Sequence, residues 1–279
     1  VTPLLFVLLV VAISFIAGGL GSLLGLGGGM IVVPALTLLL GIDIRLAIGA
    51  SIISVIATSS GAAAAYVRDR LANLRVAMFL EIGTVLGAIT GAYVAGILHP
   101  RWLFVLFGVI LGSSAVAMLR PRTRRLDLPH GRTGLAHRLG MDGSYFDDAR
   151  GAEIAYVPAR PIVGLGLMYI AGIVSGLLGI GSGALKVPAM DLAMELPIKV
   201  STATSNLMIG VTAAASAGLY FSRGQIDPFV AAPVAIGVLA GAFTGSRLLP
   251  RLHSRTLRVA FVVVLVVVSV QMLMRGVAR

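Results

Sequence analysis

The stretch Gly25-Leu26-Gly27-Gly28-Gly29-Met30-Ile31-Val32-Val33-Pro34 decides how this chain is read, because it returns 154 residues later as Gly179-Ile180-Gly181-Ser182-Gly183-Ala184-Leu185-Lys186-Val187-Pro188. Both runs end in Val-Pro and lie within apolar sequence. Glycine lets another group approach the backbone closely and adopts conformations that other residues resist. Irregular backbone at membrane depth is tolerated only where protein or a cavity covers it. A helix that starts directly after the glycines presents its positive end to them. The two runs are therefore candidate anion cradles.

The register between the runs continues outward at the same offset of 154 without gaps. Gly18 matches Gly172, Ser51 matches Ser205, Thr58 matches Thr212, Tyr66 matches Tyr220 and His99 matches His253. Gly83, Gly87 and Gly91 match Gly237, Gly241 and Gly245. Chance gives apolar coincidences, but not glycine, proline, serine and tyrosine in register over about 80 residues; the chain reads as an internal duplication, which in a membrane protein points to a transporter with its site between the repeats.

Composition sets the medium. Of 279 residues 58% are hydrophobic and 12% charged, with mean hydropathy +1.01. A soluble domain is about a quarter charged, so this is an integral membrane protein. The net charge of +11 falls between apolar segments, which argues for orientation by the positive-inside rule, not for nucleic acid. With no cysteine, disulfides, thiolate metal sites and cysteine nucleophiles are excluded. The first segment lacks a basic leader and holds the start of the repeat, so it does not read as a cleaved signal peptide.

Apolar segments cover 4–24, 30–41, 44–67, 76–98 and 102–119, and then 161–178, 184–194, 197–222, 229–250 and 256–274. The expected fold is an all-α polytopic membrane protein of two homologous halves, 1–119 and 161–279, with about five hydrophobic segments each. A polar linker, 120–160, joins them and is expected in the cytoplasm from its basic excess; Tyr145 to Val157 reads as a small β-hairpin around a Gly-containing turn. The second segment of each half is too short to cross: Met30 to Leu40 makes about 16 Å of helix against about 30 Å of hydrocarbon. It reads as a re-entrant half-helix that turns back at Gly41-Ile42-Asp43, or at Glu195-Leu196-Pro197 in the second half. Parallel and inverted repeats both remain open by segment count. The inverted arrangement is preferred because two half-helix N-termini then converge on one site. The glycines at every fourth position from Gly83 and from Gly237 read as close-packing stripes.

Several polar side chains stand out. Ser51, Ser54, Thr58, Ser59 and Ser60 follow the first half-helix; Thr204-Ser205-Asn206 and Thr212 follow the second. Such hydroxyls either donate to an oxyanion or bond back to their own helix. Lys186 stands where the first half has Val32. A lysine at membrane depth faces a cavity or a partner, here an anionic substrate or a salt bridge to Asp191 or Glu195. Glu81 is the one ionisable residue inside its segment, where the second half has Ala235. It is the candidate proton-coupling carboxylate, or it pairs structurally with a basic residue near the site. The glycine run lacks the lysine and serine of a P-loop and the spacing of a dinucleotide site. The best enzyme reading, an intramembrane hydrolase using Ser182 and His253, lacks the Gly-x-Ser-x-Gly frame. No catalytic residues, metal or cofactor are therefore expected.

At Gly-Leu-Leu-Gly-Ile-Gly-Ser-Gly (176–183), Lys-Val-Pro-Ala-Met (186–190) and Pro-Ile-Lys-Val-Ser-Thr-Ala-Thr-Ser-Asn (197–206) the chain closely resembles the TauE/SafE sulfite exporter family. The resemblance spans nearly the whole chain. It implies a multi-pass protein of a bacterial or archaeal cytoplasmic membrane that moves sulfite, thiosulfate, sulfoacetate or related anions. Ser182 departs from the family's usual glycine. The resulting expectation is a secondary exporter of a small sulfur-containing anion that rocks one half against the other. Gly27, Gly28, Gly29, Gly181, Ser182 and Gly183 would cradle the anion, Ser51, Thr204, Ser205 and Asn206 would donate, and Lys186 would supply the charge. The alternative is a passive anion channel. The anion and the lipid bilayer are the expected partners; oligomeric state is not legible.

Overall fold

The structure is a computed structural model that describes residues 3–24, 28–68, 72–119, 134–147, 152–181, 183–248 and 254–278. Before the linker come α1 (Pro3–Leu24), α2 (Gly29–Leu39), α3 (Ile44–Arg68), α4 (Leu74–Ile97) and α5 (Pro100–Leu119). The linker contributes α6 (Gly134–Arg138), β1 (Gly143–Asp147) and β2 (Ala152–Tyr156). After it come α7 (Pro161–Leu178), α8 (Gly183–Ala193), α9 (Ile198–Ser222), α10 (Pro228–Leu248) and α11 (Ser254–Ala278). Ten of these helices fall on the ten apolar segments; α6 answers to none of them. Pro3–Leu20, Leu74–Ile97 and Pro161–Leu178 are long and apolar enough to cross a bilayer, and shorter apolar stretches occupy α2, α3, α5, α10 and α11.

The two short helices have the same construction. Both α2 and α8 are 11 residues long with proline inside, at Pro34 and Pro188. Each leaves through a left-handed residue, Gly41 (φ +67°) and Glu195 (φ +55°). Each closes its exit with one backbone bond of 3.2 Å, Ile42 N–H to Leu36 O and Leu196 N–H to Met190 O.

Glycine fixes how the long helices meet. A Cβ at Gly83 would lie 2.7 Å from the Leu165 carbonyl oxygen, and one at Gly237 would lie 2.6 Å from that of Val11. Gly87 sits against Tyr169 and Ile173, and Gly91 against Ile173; Gly241 sits against Phe15 and Gly19. Residue numbers rise together along each pair, so α4 runs parallel to α7, and α1 to α10. Helix α9 also runs with α4: Asn73 meets Thr204, Glu81 meets Thr212, and Ala92 meets Arg223. A tight turn, in which Gln225 N–H donates to Tyr220 O (2.9 Å), then reverses the chain into α10. Helices α5 and α11 run antiparallel: Ser269 Oγ donates to Gly108 O (2.6 Å), while Gly276 lies against Arg101 and Val105.

Each of these close pairs joins one helix from before the linker to one from after it. Helices α4, α7, α8 and α9 form one group and α1, α2, α3 and α10 another, and the groups meet along α3 and α9. The sequence halves are thus interleaved.

The hairpin caps the end of the first group where α4 begins and α8 finishes. Its strands pair antiparallel from Gly143 with Tyr156 to Asp147 with Ala152. Met141, Tyr145 and Tyr156 pack on Val76, Leu80, Met168, Met190, Met194 and Met208. Asn73 ties the parts together: Oδ1 caps α4 by accepting from Val76 N–H (3.1 Å), Nδ2 donates to Met141 O (2.9 Å) and Tyr156 Oη (3.1 Å), and its backbone N–H donates to Thr204 Oγ1 (3.1 Å). Ala159 N–H closes on Met194 O (2.8 Å). Burial pushes the Tyr156 phenol above its ordinary value, with the Asn73 hydrogen bond opposing, so it stays a neutral hydroxyl here.

Candidate functional site

Where described, the two glycine runs meet: Gly29 of the first lies against Gly179 of the second. Gly29 opens α2 with no side-chain cap preceding it, so its first amides are left to other partners. A Cβ at Gly29 would lie 2.9 Å from Gly179 O and 2.9 Å from Val55 Cγ2. One at Gly181 (φ +73°) would lie 3.0 Å from Val55 Cγ1 and 2.8 Å from Ile209 Cγ2. Ser51 Oγ donates to Gly179 O (2.8 Å) and so fastens the second loop to α3. Gly28 lies against Val238 and Gly18, and Gly183 is the first residue of α8. Gly27 and Ser182, and with them the hydrolase pairing of Ser182 with His253, lie outside the described residues.

Four hydroxyls of α3 are committed to their own helix: Ser54 donates to Ser51 O (2.7 Å), Thr58 to Ser54 O (3.0 Å), Ser59 to Ile56 O (3.1 Å) and Ser60 to Ile56 O (2.8 Å). Thr204 Oγ1 is occupied by the Asn73 N–H. Ser205 Oγ is buried with no hydrogen-bond partner, and Asn206 is half-buried. Thr204 and Ser205 stand about two turns, roughly 12 Å, along α9 from Thr212.

The charged groups meet at Thr212. Lys186 is fully buried (0% exposed), and among the described residues it is the one charged side chain so buried. Its Nζ donates to Thr212 Oγ1 at 2.6 Å, and Thr212 Oγ1 donates to Glu81 Oε1 at 2.7 Å. Lys186 and Glu81 therefore attract one another across a single hydroxyl. The other Glu81 oxygen, Oε2, is buried without a partner. Thr212 has a second acceptor in reach, Met208 O at 2.8 Å. Three helices supply one residue each: α8 the cation, α9 the hydroxyl, α4 the carboxylate. Charges buried this deeply persist only when paired and hydrogen-bonded, and this pair lies about 10 Å in from the start of α4, above the methionines and the hairpin.

The sequence offered Glu81 a basic residue near the site as a structural partner without naming Lys186, and offered Lys186 either an anion or a salt bridge to the nearby Asp191 or Glu195. Glu195 is exposed at the turn leaving α8, while Lys186 points across to α9. Thr212 appeared only as one hydroxyl of a cluster. Its signal was its place eight residues past Thr204, on α9 itself. Asn73 gave no signal at all, since its four partners lie on different elements.

Residues 10–272 match the family described as Sulfite exporter TauE/SafE. The chain belongs to that family. It is also similar to the "Probable membrane transporter protein YunE" of Bacillus subtilis, at 29% identity over 280 residues and 98% of each chain. A "Probable membrane transporter protein" of Methanocaldococcus jannaschii is 25% identical over 286 residues, 97% of each chain. One from Xylella fastidiosa is 24% identical over 258 residues, 91% of this chain and 90% of its own. No solved structure matches significantly. This TauE/SafE member is thus a multi-pass membrane protein, and the names of the family and its relatives describe transporters rather than enzymes.

Proposed function

We propose that this TauE/SafE protein is a secondary transporter of a small sulfur-containing anion, sulfite or a related oxyanion, with Lys186 as the anion's counter-charge. The buried Lys186–Thr212–Glu81 chain carries this reading: a cation held at membrane depth on a re-entrant helix is expensive unless it serves a passing anion or a structural pair. Gly28, Gly29, Gly181 and Gly183 border the approach with backbone N–H groups. Ser205 and Asn206 offer further donors; Ser51 and Thr204 hold the loop and the helix in place. Glu81 is the coupling carboxylate.

The helix directions support an inverted repeat. Helix α7 runs with α4 and α9, whereas α1 runs with α10, which the tight turn after α9 reverses. Equivalent helices α1 and α7 therefore point opposite ways. We assign each half three crossings and one re-entrant pair, and we place the hairpin on the cytoplasmic side. Because the close pairs mix the halves, the bodies that rock are the α4–α7–α8–α9 and α1–α2–α3–α10 groups, not the sequence halves.

Substrate counterflow in proteoliposomes tests the function. Sulfite, thiosulfate, sulfate, sulfoacetate and a simple carboxylate are run in parallel for the wild type and Lys186→Ala. Saturable exchange of a sulfur anion, abolished in the variant, is expected. Leak that follows membrane potential without exchange would identify a channel instead. Absence of flux with every sulfur anion would reject the substrate class.

A further inference from the structure

Building on the reading that Lys186 meets the transported anion, we propose that Glu81 and the anion compete for the Thr212 hydroxyl and for the positive charge of Lys186, so that the site loads a monoanion together with one proton and rejects a dianion. Lys186 and Glu81 already satisfy one another: Lys186 Nζ donates to Thr212 Oγ1, and that hydroxyl donates to Glu81 Oε1. An arriving anion therefore does not find a free cation. It replaces a carboxylate, and the displaced carboxylate takes up a proton, because its Oε2 is buried without a partner and an unpaired buried charge is strongly disfavoured.

Charge counting sets the stoichiometry. The resting pair is neutral, one ammonium against one carboxylate. A monoanion adds one negative charge, and a single proton on Glu81 removes it. A dianion leaves one charge uncompensated, and no second fully buried cation is present among the described residues. Two details favour the exchange. Glu81 Oε2 is buried and unpartnered, which leaves an open place for the proton. Thr212 can turn its one hydrogen from Glu81 Oε1 to the anion while its oxygen stays with Lys186, once the carboxyl becomes neutral. The proton comes from water on the side to which the site is open and returns to water on the other side; no bond other than O–H forms or breaks. The titratable groups around Glu81 are few. Helix α8 presents Lys186, α7 presents Tyr169 (beside Thr90, 3.4 Å), and the hairpin presents Tyr145 and Tyr156 near the start of α4.

The test uses the full chain in proteoliposomes with potential clamped by valinomycin and potassium, a lumenal pH dye, and two probes: methanesulfonate, a permanent monoanion, and thiosulfate, a dianion. With one proton per anion, a gradient of one pH unit drives accumulation of methanesulfonate up to a limit of about tenfold, with no response to imposed potential, and thiosulfate is carried far more slowly. Glu81→Gln loses the pH-driven accumulation, and the methanesulfonate flux it carries moves no protons, as the lumenal dye reads. Infrared difference spectra of purified protein give an independent readout: methanesulfonate raises a protonated carboxyl band in the wild type that Glu81→Gln lacks. Flux driven by potential and indifferent to pH, thiosulfate carried as well as methanesulfonate, or no new carboxyl band each overturns the proposal. If Lys186→Ala keeps full methanesulfonate counterflow, the site reading beneath it fails. If Lys186→Ala is inactive while Glu81→Gln still couples to protons, only the proton inference fails.

Discussion

Lys186 and Glu81 each make the other tolerable, so their substitutions should not add. Lys186→Ala leaves a carboxylate facing apolar groups at Thr212, and breaking a buried pair from one side costs about 3–5 kcal/mol. Adding Glu81→Gln removes the stranded charge and should recover a large part of that loss. Thermal unfolding of the two single variants and the double variant in detergent measures the coupling; additive losses would mean that the two residues are energetically independent. Thr212→Val should behave like a partial break of both bonds, lowering stability and exchange together, whereas Thr212→Ser keeps the hydroxyl and should retain both. At this scale the sequence was legible for residue type and not for partnership. Lys186 and Glu81 were conspicuous as charges in apolar stretches, but 105 residues separate them along the chain, and no local pattern announces that α8 and α4 meet at one hydroxyl of α9.

Among elements, the glycine stripes and the Asn73 junction set the geometry. Gly87 lies against the backbone of α7 at Tyr169, where neither carbonyl nor helix axis can give way cheaply. Gly87→Ala should therefore cost about 1–3 kcal/mol through overpacking, and Gly241→Ala the same against Phe15, while Gly218→Ala, which has open space around its Cβ, should be close to neutral. Melting temperatures of the three variants check this order. Asn73→Ala removes the α4 cap and both bonds to the hairpin. Limited proteolysis should then cut the 134–156 region several-fold faster, with the helices spared. The Tyr156 phenol, raised in the folded state, contributes stability that is complete below the ordinary tyrosine value of about 10 and is lost as pH rises through its folded value. Tyr156→Phe should flatten that alkaline limb. Element positions were largely readable because hydrophobic runs and glycine punctuation are local: segment 184–194 became Gly183–Ala193, and 44–67 became Ile44–Arg68. The five-residue α6 was not readable, since Gly134–Arg138 carries no apolar period.

For the whole molecule, the orientation of equivalent parts is the decisive quantity. Asp43 and Glu195 both sit at the exits of short helices and are exposed. If the repeats are inverted, single cysteines placed there, in a chain that has none of its own, should react with a membrane-impermeant thiol reagent from opposite faces. Labelling from one face would make the repeats parallel. The sequence could not decide this, because parity rests on whether a segment of 11 residues crosses or returns. Residue-to-residue pairing along α4, α7 and α9 carries that information, and pairing is a property of the packed chain. The same pairing gathers helices from both sides of the linker into mixed groups, a distinction invisible to an alignment of one half on the other.

The shared glycine seams also bear on how the protein is made. When α4 leaves the ribosome, the surface formed by Gly83, Gly87 and Gly91 has no partner, because α7 lies beyond the linker; α1 waits still longer for α10. The helices before the linker must therefore enter the bilayer loosely held and remain in lipid until the second set arrives. Assembly of this protein is a late, concerted docking of helices already inserted. A nonsense or frameshift lesion after the linker would leave no competent half behind, only unpaired helices for the cell's membrane proteases to remove.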